Sequence, residues 1–493
     1  MIAAIRAWWR DEDEAVRFAV VAMVVAGFVA RAAALGQPMR YDESVTYLCF
    51  VGRSWATAAT SYQCPNNHLL YTLVAKATSA AGGGAPWALR LPAFLAGVAV
   101  VPLTYAVGRA LYSGTAALAG AALAAAATPL VLYSANASGY SFVVVAFLGG
   151  LLVAARIRAA GGTGRRWGAF ALIAAAGLVT IPAMVYPLGA VALWLALTLV
   201  VERGRAAWPT VAALVASLAA AAPLTLLAYL PFIHANGWAA LTAHRFVAGS
   251  TWPQFYAQLL PSLGRAAAGW TQPYPLVVAL PLAAAAAYGV FRSTRGSREG
   301  VSVLLAAGVW SAGVLVVTHR VPFERTWLWI LPLAGLAAGA ACELALRRSR
   351  LAAARPWLPA VAALVAAAGV AWGFHTDALG RSLDTGVFAG AQPIADALAT
   401  RAQPGDRVLA WIPSNAPLQY YMQRAGADTA LLSTPDSATT REIIVLNATY
   451  GQTLPWAIAV GMVDTARFGP VAPAMHARDG NVYVAELKRE ASR

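Results

Sequence analysis

Apolar stretches of roughly 18 to 25 residues recur along the chain at about 18–35, 88–108, 114–133, 139–156, 167–182, 183–201, 209–231, 273–291, 301–318, 325–346 and 357–374. Each is long enough to cross ~30 Å of hydrocarbon. The pattern predicts a mainly α, polytopic membrane protein with about eleven transmembrane helices. Arg156, Arg158, Arg165 and Arg166 share one connecting loop, Arg203 and Arg205 a second, Arg292, Arg295 and Arg298 a third, and Arg347, Arg348, Arg350 and Arg355 a fourth. Positive loops stay on the cytoplasmic side, so these four, the N-terminus and Arg109 are expected inside. By the same count the apolar stretch 67–81 has the outer face at both ends. It is therefore expected to form an interfacial or re-entrant helix within one outer loop, 37–87. A second interfacial helix is expected from about Val45 to Ala59, and residues 232–272 and 319–324 form further outer loops.

After about residue 375 the pattern changes. Asp, Thr, Gln and Asn become frequent, and short β-like runs appear at Arg407–Ile412, Ala430–Leu432, Glu442–Leu446 and Asn481–Glu486, with a helix-like stretch at Pro417–Arg424. This predicts a small soluble α/β domain, 375–493, on the outer side, following a membrane domain, 1–374. It carries no Gly-rich phosphate loop.

Composition agrees with the pattern: of 493 residues 59% are hydrophobic and 12% charged, against about 25% charged in soluble domains. The net charge of +15 is nearly all Arg, the only lysines being Lys76 and Lys488. Its confinement to short loops points to topology and anionic lipid rather than nucleic acid. Acidic residues Asp11 to Glu14 before the first span argue for an uncleaved helix rather than a signal peptide. Cys49 and Cys64 share the first outer loop. They can pair if it faces an oxidising compartment, the alternative being two free thiols.

Chemistry concentrates in the predicted outer loops. Asp42 and Glu43 follow the first span, where carboxylates are costly unless solvated, paired or used. As sequence neighbours they point apart by ~100° in a helix. One reading makes Asp42 a general base with Glu43 orienting it, binding a metal or contacting substrate; the other makes both N-terminal helix caps. Asn67 and His68 open the interfacial helix, with no second His or Cys at ligand spacing. Tyr133 to Tyr140 joins two spans, and His319-Arg320 with Glu324-Arg325 joins two others; His244-Arg245 lies in the second large loop. Arginines on the outer side run against the charge rule, and a phosphate headgroup or an internal carboxylate partner would account for them.

Tyr41-Asp42-Glu43, Pro65-Asn-Asn-His68-Leu-Leu-Tyr71, Leu89-Arg90-Leu-Pro92 and Tyr133-Ser-Ala-Asn-Ala-Ser-Gly-Tyr140 occur in that order. With this topology the chain resembles the GT-C membrane glycosyltransferases, in the branch of the protein mannosyltransferases and the lipid A aminoarabinose transferase. The resemblance implies inverting transfer of a sugar from a polyprenyl-phosphate donor to a hydroxyl on a lipid, polysaccharide or protein, at the outer face of a bacterial cytoplasmic membrane. It maps the catalytic acidic residue of the first outer loop to Asp42, with Glu43 beside it. Relatives commonly carry Arg where this chain has Ser138. Phosphate binding then falls to Arg90, Arg245, Arg320 or Arg325, or the donor differs, or the member is impaired. Asn67, His68, Tyr133, Tyr140 and His319 are the candidate substrate contacts. The leaving phosphate can be neutralised by Arg or by Mg or Mn, and the sequence does not require the metal. Two competing classes are a transporter or flippase of lipid-linked sugars and a non-catalytic glycan-assembly module. The first predicts ionisable groups at mid-bilayer and matched broken helices, whereas the polar residues here gather at one surface.

Overall fold

The computed structural model describes residues 9–61, 64, 67–239, 250–293, 300–348, 350–433 and 436–488. In chain order the helices are α1 (Glu14–Ala34), α2 (Tyr41–Thr46), α3 (Trp55–Thr60), α4 (Leu69–Ala81), α5 (Pro86–Leu111), α6 (Gly114–Ala126), α7 (Thr128–Ser134) and α8 (Tyr140–Ala160). They continue as α9 (Gly164–Thr180), α10 (Val185–Arg203), α11 (Trp208–Asn236), α12 (Trp252–Thr271), α13 (Leu276–Ser293), α14 (Val303–Thr318), α15 (Ile330–Arg348) and α16 (Leu358–His375). The remainder is α17 (Ala391–Arg401), β1 (Asp406–Ala410), α18 (Asn415–Ala425), β2 (Arg441–Asn447), α19 (Leu454–Ala459), β3 (Phe468–Ala477) and β4 (Gly480–Leu487).

The eleven predicted apolar stretches all fall on helix, and the chain is a multi-pass membrane protein. Among the described residues, however, six helices are long and apolar enough to cross a bilayer, or up to eight if each bent pair is one span. α6 and α7 form one such pair, bent by 57°, and α12 and α13 another, bent by 113°. The expected span at 273–291 thus emerges as the second limb of a sharply bent pair. Its first limb, α12, is amphipathic and was read as loop because Pro253, Pro261 and polar residues interrupt its apolar positions.

The chain divides into two compact units. One comprises 1–35, 68–78 and 90–379, and the other 36–67, 79–89 and 380–493. The predicted first outer loop therefore does not fold wholly with the membrane helices, because most of it belongs to the unit that contains the sheet.

In the membrane unit α6 packs against α15 and α5 through small side chains. A Cβ at Gly339 would come within 2.7 Å of the Ala116 Cα, so the backbones touch with no room for a methyl. This is how helices associate in lipid, where apolar burial alone gives no preference for protein over acyl chain. The α6–α7 bend is held by Arg31, wholly buried in α1. Its guanidinium donates to the carbonyls of Ala124 (3.0 Å) and Ala125 (3.2 Å), which α6 leaves without helical partners where it ends, and to Ser134 Oγ of α7 (3.1 Å). A buried charge thus satisfies the orphan acceptors of a broken helix.

In the second unit the sheet has order β1-β2-β4-β3, with β1 parallel to β2 and the other pairs antiparallel. β2 is buried along nearly its whole length, as suits a central strand. β3 was not predicted, because Pro470 and Pro473 interrupt it; it is an edge strand with two register shifts, where proline is tolerated. Ala430–Leu432 is not a strand: Thr429–Leu431 is a 3-10 turn capped by the Asp428 carboxylate. The helix expected from Val45 to Ala59 is likewise interrupted. α2 passes into a π-helical turn, Tyr47–Val51, and α3 starts afresh at the Ser54 cap.

Candidate active site

In the sheet-containing unit, α2 places the two acidic residues in its first turn, and the helix sends them to different environments. The Glu43 carboxylate accepts the Arg40 backbone N–H at 2.8 Å and is fully buried. It performs the capping role that one sequence reading gave to both acids. Asp42, one residue earlier, remains half-exposed.

The turn that carries Asp42 is pinned by residues 382–386. Asp42 N–H donates to Thr385 O (3.2 Å) and Tyr41 N–H to Gly386 O (2.9 Å). Arg40, 2% exposed, donates to the carbonyls of Ser382 (2.9 Å) and Asp384 (2.8 Å). Thr385 holds a left-handed backbone, φ 67°, a strained choice for a β-branched residue. Tyr450 closes the same turn, its hydroxyl donating to Leu383 O (2.9 Å) and accepting Val387 N–H (3.1 Å). Burial raises the Tyr450 phenol above its ordinary range, opposed by the Val387 amide and Arg40 and reinforced by Asp384 and Asp42. It therefore stays a neutral donor. Cys49 and Cys64 are joined by a disulfide that closes the loop beyond α2. The Asn67 amide nitrogen is engaged by the carbonyls of Ala58 (3.1 Å) and Ser61 (3.0 Å), tying that loop together.

In the membrane unit, His68 stands at the head of α4, 8% exposed. Its Nδ1 accepts the Gly139 N–H at 2.9 Å, so the neutral ring carries its proton on Nε2 and presents a donor there. Burial, with Arg325 second, pushes its pKa down to about 3. A Cβ at Gly139 would lie 2.5 Å from Thr180 Cγ2 and 3.1 Å from His68 Cβ, so only glycine admits this approach. The rings of His68 and Tyr140 meet edge to face at 5.4 Å, and those of Tyr133 and Tyr140 at 5.2 Å. Arg325 Nε donates to Tyr140 Oη (3.0 Å) with its guanidinium over the Phe323 ring. Ser138 is buried, and its hydroxyl has no hydrogen-bond partner among the described residues.

The other predicted phosphate ligands stand in different surroundings. Glu324 pairs with Arg265 at 2.6 Å. Arg320 is half-buried, and its Nε has no hydrogen-bond partner among the described residues. Arg90 is fully buried and donates to Leu35 O (2.6 Å), capping the end of α1. His319, in the left-handed region at the end of α14, lies against Trp252 at 3.8 Å between ring centroids. Arg245 lies outside the described residues. Among the described residues no three His, Cys, Asp or Glu side chains gather to hold a metal ion.

Gly139 and the 382–386 segment went unpredicted. A glycine immediately before the Tyr140 helix was a usable signal for the first; nothing local marks the second.

No protein-family model matches the sequence, and no curated protein matches it. Solved structures do. ArnT from Cupriavidus metallidurans in the apo state is 15% identical with a TM-score of 0.61, over 94% of this chain and 97% of that one. Its undecaprenyl-phosphate complex matches at 14% identity and the same TM-score and coverage. The apo oligosaccharyltransferase of Archaeoglobus fulgidus matches at 11% identity and TM-score 0.52, over 95% of this chain and 74% of that one.

The chain has the GT-C fold.

At these identities the likeness is one of fold. The GT-C fold runs through both units, since the ArnT match spans nearly all of both chains.

Proposed function

We propose that this protein is an inverting glycosyltransferase that moves a sugar from a polyprenyl-phosphate donor to a hydroxyl acceptor, at the outer face of a bacterial cytoplasmic membrane. The observation that carries the reading is the end-to-end GT-C likeness to ArnT, whose structure has been solved with undecaprenyl phosphate bound. Asp42 is the general base: it removes the acceptor hydroxyl proton as that oxygen attacks the anomeric carbon opposite the phosphate. The bond from that carbon to the phosphate oxygen breaks, the configuration inverts, and polyprenyl phosphate leaves with the bonding electrons. Its growing charge is met by Arg320 and Arg325, arginine offering a fork that matches phosphate oxygens. Support for Arg320 is its unpartnered Nε, and for Arg325 its placement by Tyr140 and Phe323. Glu43 is a positioning residue that fixes the turn carrying Asp42. No step is routed through a metal.

The test uses purified protein in nanodiscs with a panel of radiolabelled polyprenyl-phosphate sugars. Wild type consumes one donor, and Asp42→Asn loses turnover by at least about 100-fold while still binding it. Movement of labelled lipid across a liposome bilayer without donor consumption would replace this reading with transport.

A further inference from the structure

A second polar site lies at the far end of the membrane unit. Arg325 lies in the 3-10 turn Glu324–Trp327 ahead of α15, and 19 residues along that helix, about 28 Å at 1.5 Å per residue, α15 reaches a cavity of about 920 Å³. The walls are the first turns of α1, α6 and α16 and the last turns of α5 and α15. Val16, Leu118, Leu344 and Leu358 make part of the lining apolar, while Arg109, Arg347 and Arg355 supply cations.

The lining holds three arginines and two acids, and beside Glu343 the cations outnumber the carboxylates. Arg109 is matched by Glu12 at 2.6 Å. Arg347 (2.8 Å) and Arg355 (3.4 Å) share the single carboxylate of Glu343, which also accepts from Thr115. One carboxylate cannot neutralise two guanidiniums. Asp13, the other acid in the lining, is exposed at the start of α1. Three helix N-termini also face the cavity: α1 has no side-chain cap, α6 is capped by Ser113, and α16 runs on from the 3-10 helix Arg350–Trp357. Their dipoles favour an anion. Arg355 is the ligand arm most easily released, because its contact to Glu343 is the longest of the set.

We propose that this cavity binds a phosphoester anion, with the cationic rim of Arg347 and Arg355 taking the phosphate and the apolar wall taking attached hydrocarbon. A glycerophospholipid headgroup has both parts; a free phosphate has only the first. The site is distinct from the donor site assigned above and stands without it.

The full chain is reconstituted in nanodiscs of phosphatidylcholine with or without phosphatidylglycerol, and retained lipid is counted by native mass spectrometry. In parallel, inorganic phosphate is titrated into phosphatidylcholine nanodiscs while the thermal midpoint is followed. Wild type retains phosphatidylglycerol over phosphatidylcholine, and Arg355→Gln and Arg347→Gln each weaken retention about fivefold. The Arg347→Lys/Arg355→Lys variant keeps it. Arg166→Gln, on a cationic loop outside the cavity, behaves as wild type. If Arg347→Gln does not fold, Arg355→Gln alone decides, its side chain being 46% exposed. A midpoint raised by phosphate alone and lost in Arg355→Gln supports the same site with a free phosphoester as ligand. Equal retention by wild type and Arg355→Gln without a phosphate response, or an equal loss in Arg166→Gln, overturns the proposal.

Discussion

Asp42 and Glu43 differ by one position and about 100° of helix, and that rotation sends their carboxylates to different surroundings. Replacing Glu43 with Gln keeps an acceptor for the Arg40 N–H and is expected to cost turnover only a few-fold, against the loss of about 100-fold or more expected of Asp42→Asn. A steady-state comparison of the two variants checks the division. Arg320→Gln removes a cation with an unpartnered Nε and is expected to weaken donor binding about tenfold, a charged hydrogen bond being worth about 1.5–3 kcal/mol. His68 titrates in a direction that stability can read. Its folded pKa, about 3, lies below the ordinary value near 6.5. The folded state therefore holds the neutral ring, and its full contribution is present above about pH 6.5 and lost as pH falls towards 3. His68→Asn keeps an acceptor for Gly139 N–H and does not titrate. Its thermal midpoint should gain on wild type between pH 7 and 4.5; parallel curves would remove His68 from the acid limb. The acidic pair and His68 were legible in the sequence because charge in an apolar chain is conspicuous. Gly139 was not weighed there, because its need arises from Thr180 and His68 closing on it from other segments.

At the scale of elements, apolar runs identified helices well, but a run says only that a segment is buried or in lipid. It does not report where a helix bends. The α6–α7 bend rests on Arg31, which sits 93 and 94 residues before the carbonyls it satisfies. Arg31→Leu leaves those carbonyls unpaired in a low-dielectric interior and is expected to cost about 3 kcal/mol or more, seen as a lowered thermal midpoint in nanodiscs. An exposed arginine such as Arg165 provides the control. The loop closed by the Cys49–Cys64 disulfide spans 15 residues, for which chain entropy gives about 3 kcal/mol. Reduction should lower the unfolding midpoint and weaken the hold on α2, whereas Cys342→Ser should do neither. The broken helix at 45–59 was read as continuous because Gly52 and Ser54 interrupt it without changing its mean hydropathy, and β3 was missed because prolines hide an edge strand.

For the whole molecule, the proposal that arginines meet the leaving phosphate leads to one expectation about cofactors. If it holds, chelation with EDTA leaves transfer unchanged; loss of turnover restored by Mg or Mn would reassign that task. The sequence by itself determined the membrane class, the positions of the apolar helices and the polar loops with their acidic pair and arginines. Those properties are local: hydrocarbon excludes charge wherever it falls, and a few neighbouring residues suffice to reveal it. Only the tertiary structure decided that 36–67 and 79–89 fold with 380–493, that Glu43 is buried as a cap while Asp42 is half-exposed, that Arg90 and Arg31 hold helix ends, and that Arg320 Nε has no hydrogen-bond partner among the described residues. Each of these depends on which distant backbone groups need a partner once water is gone, and that demand exists only after the chain has closed on itself.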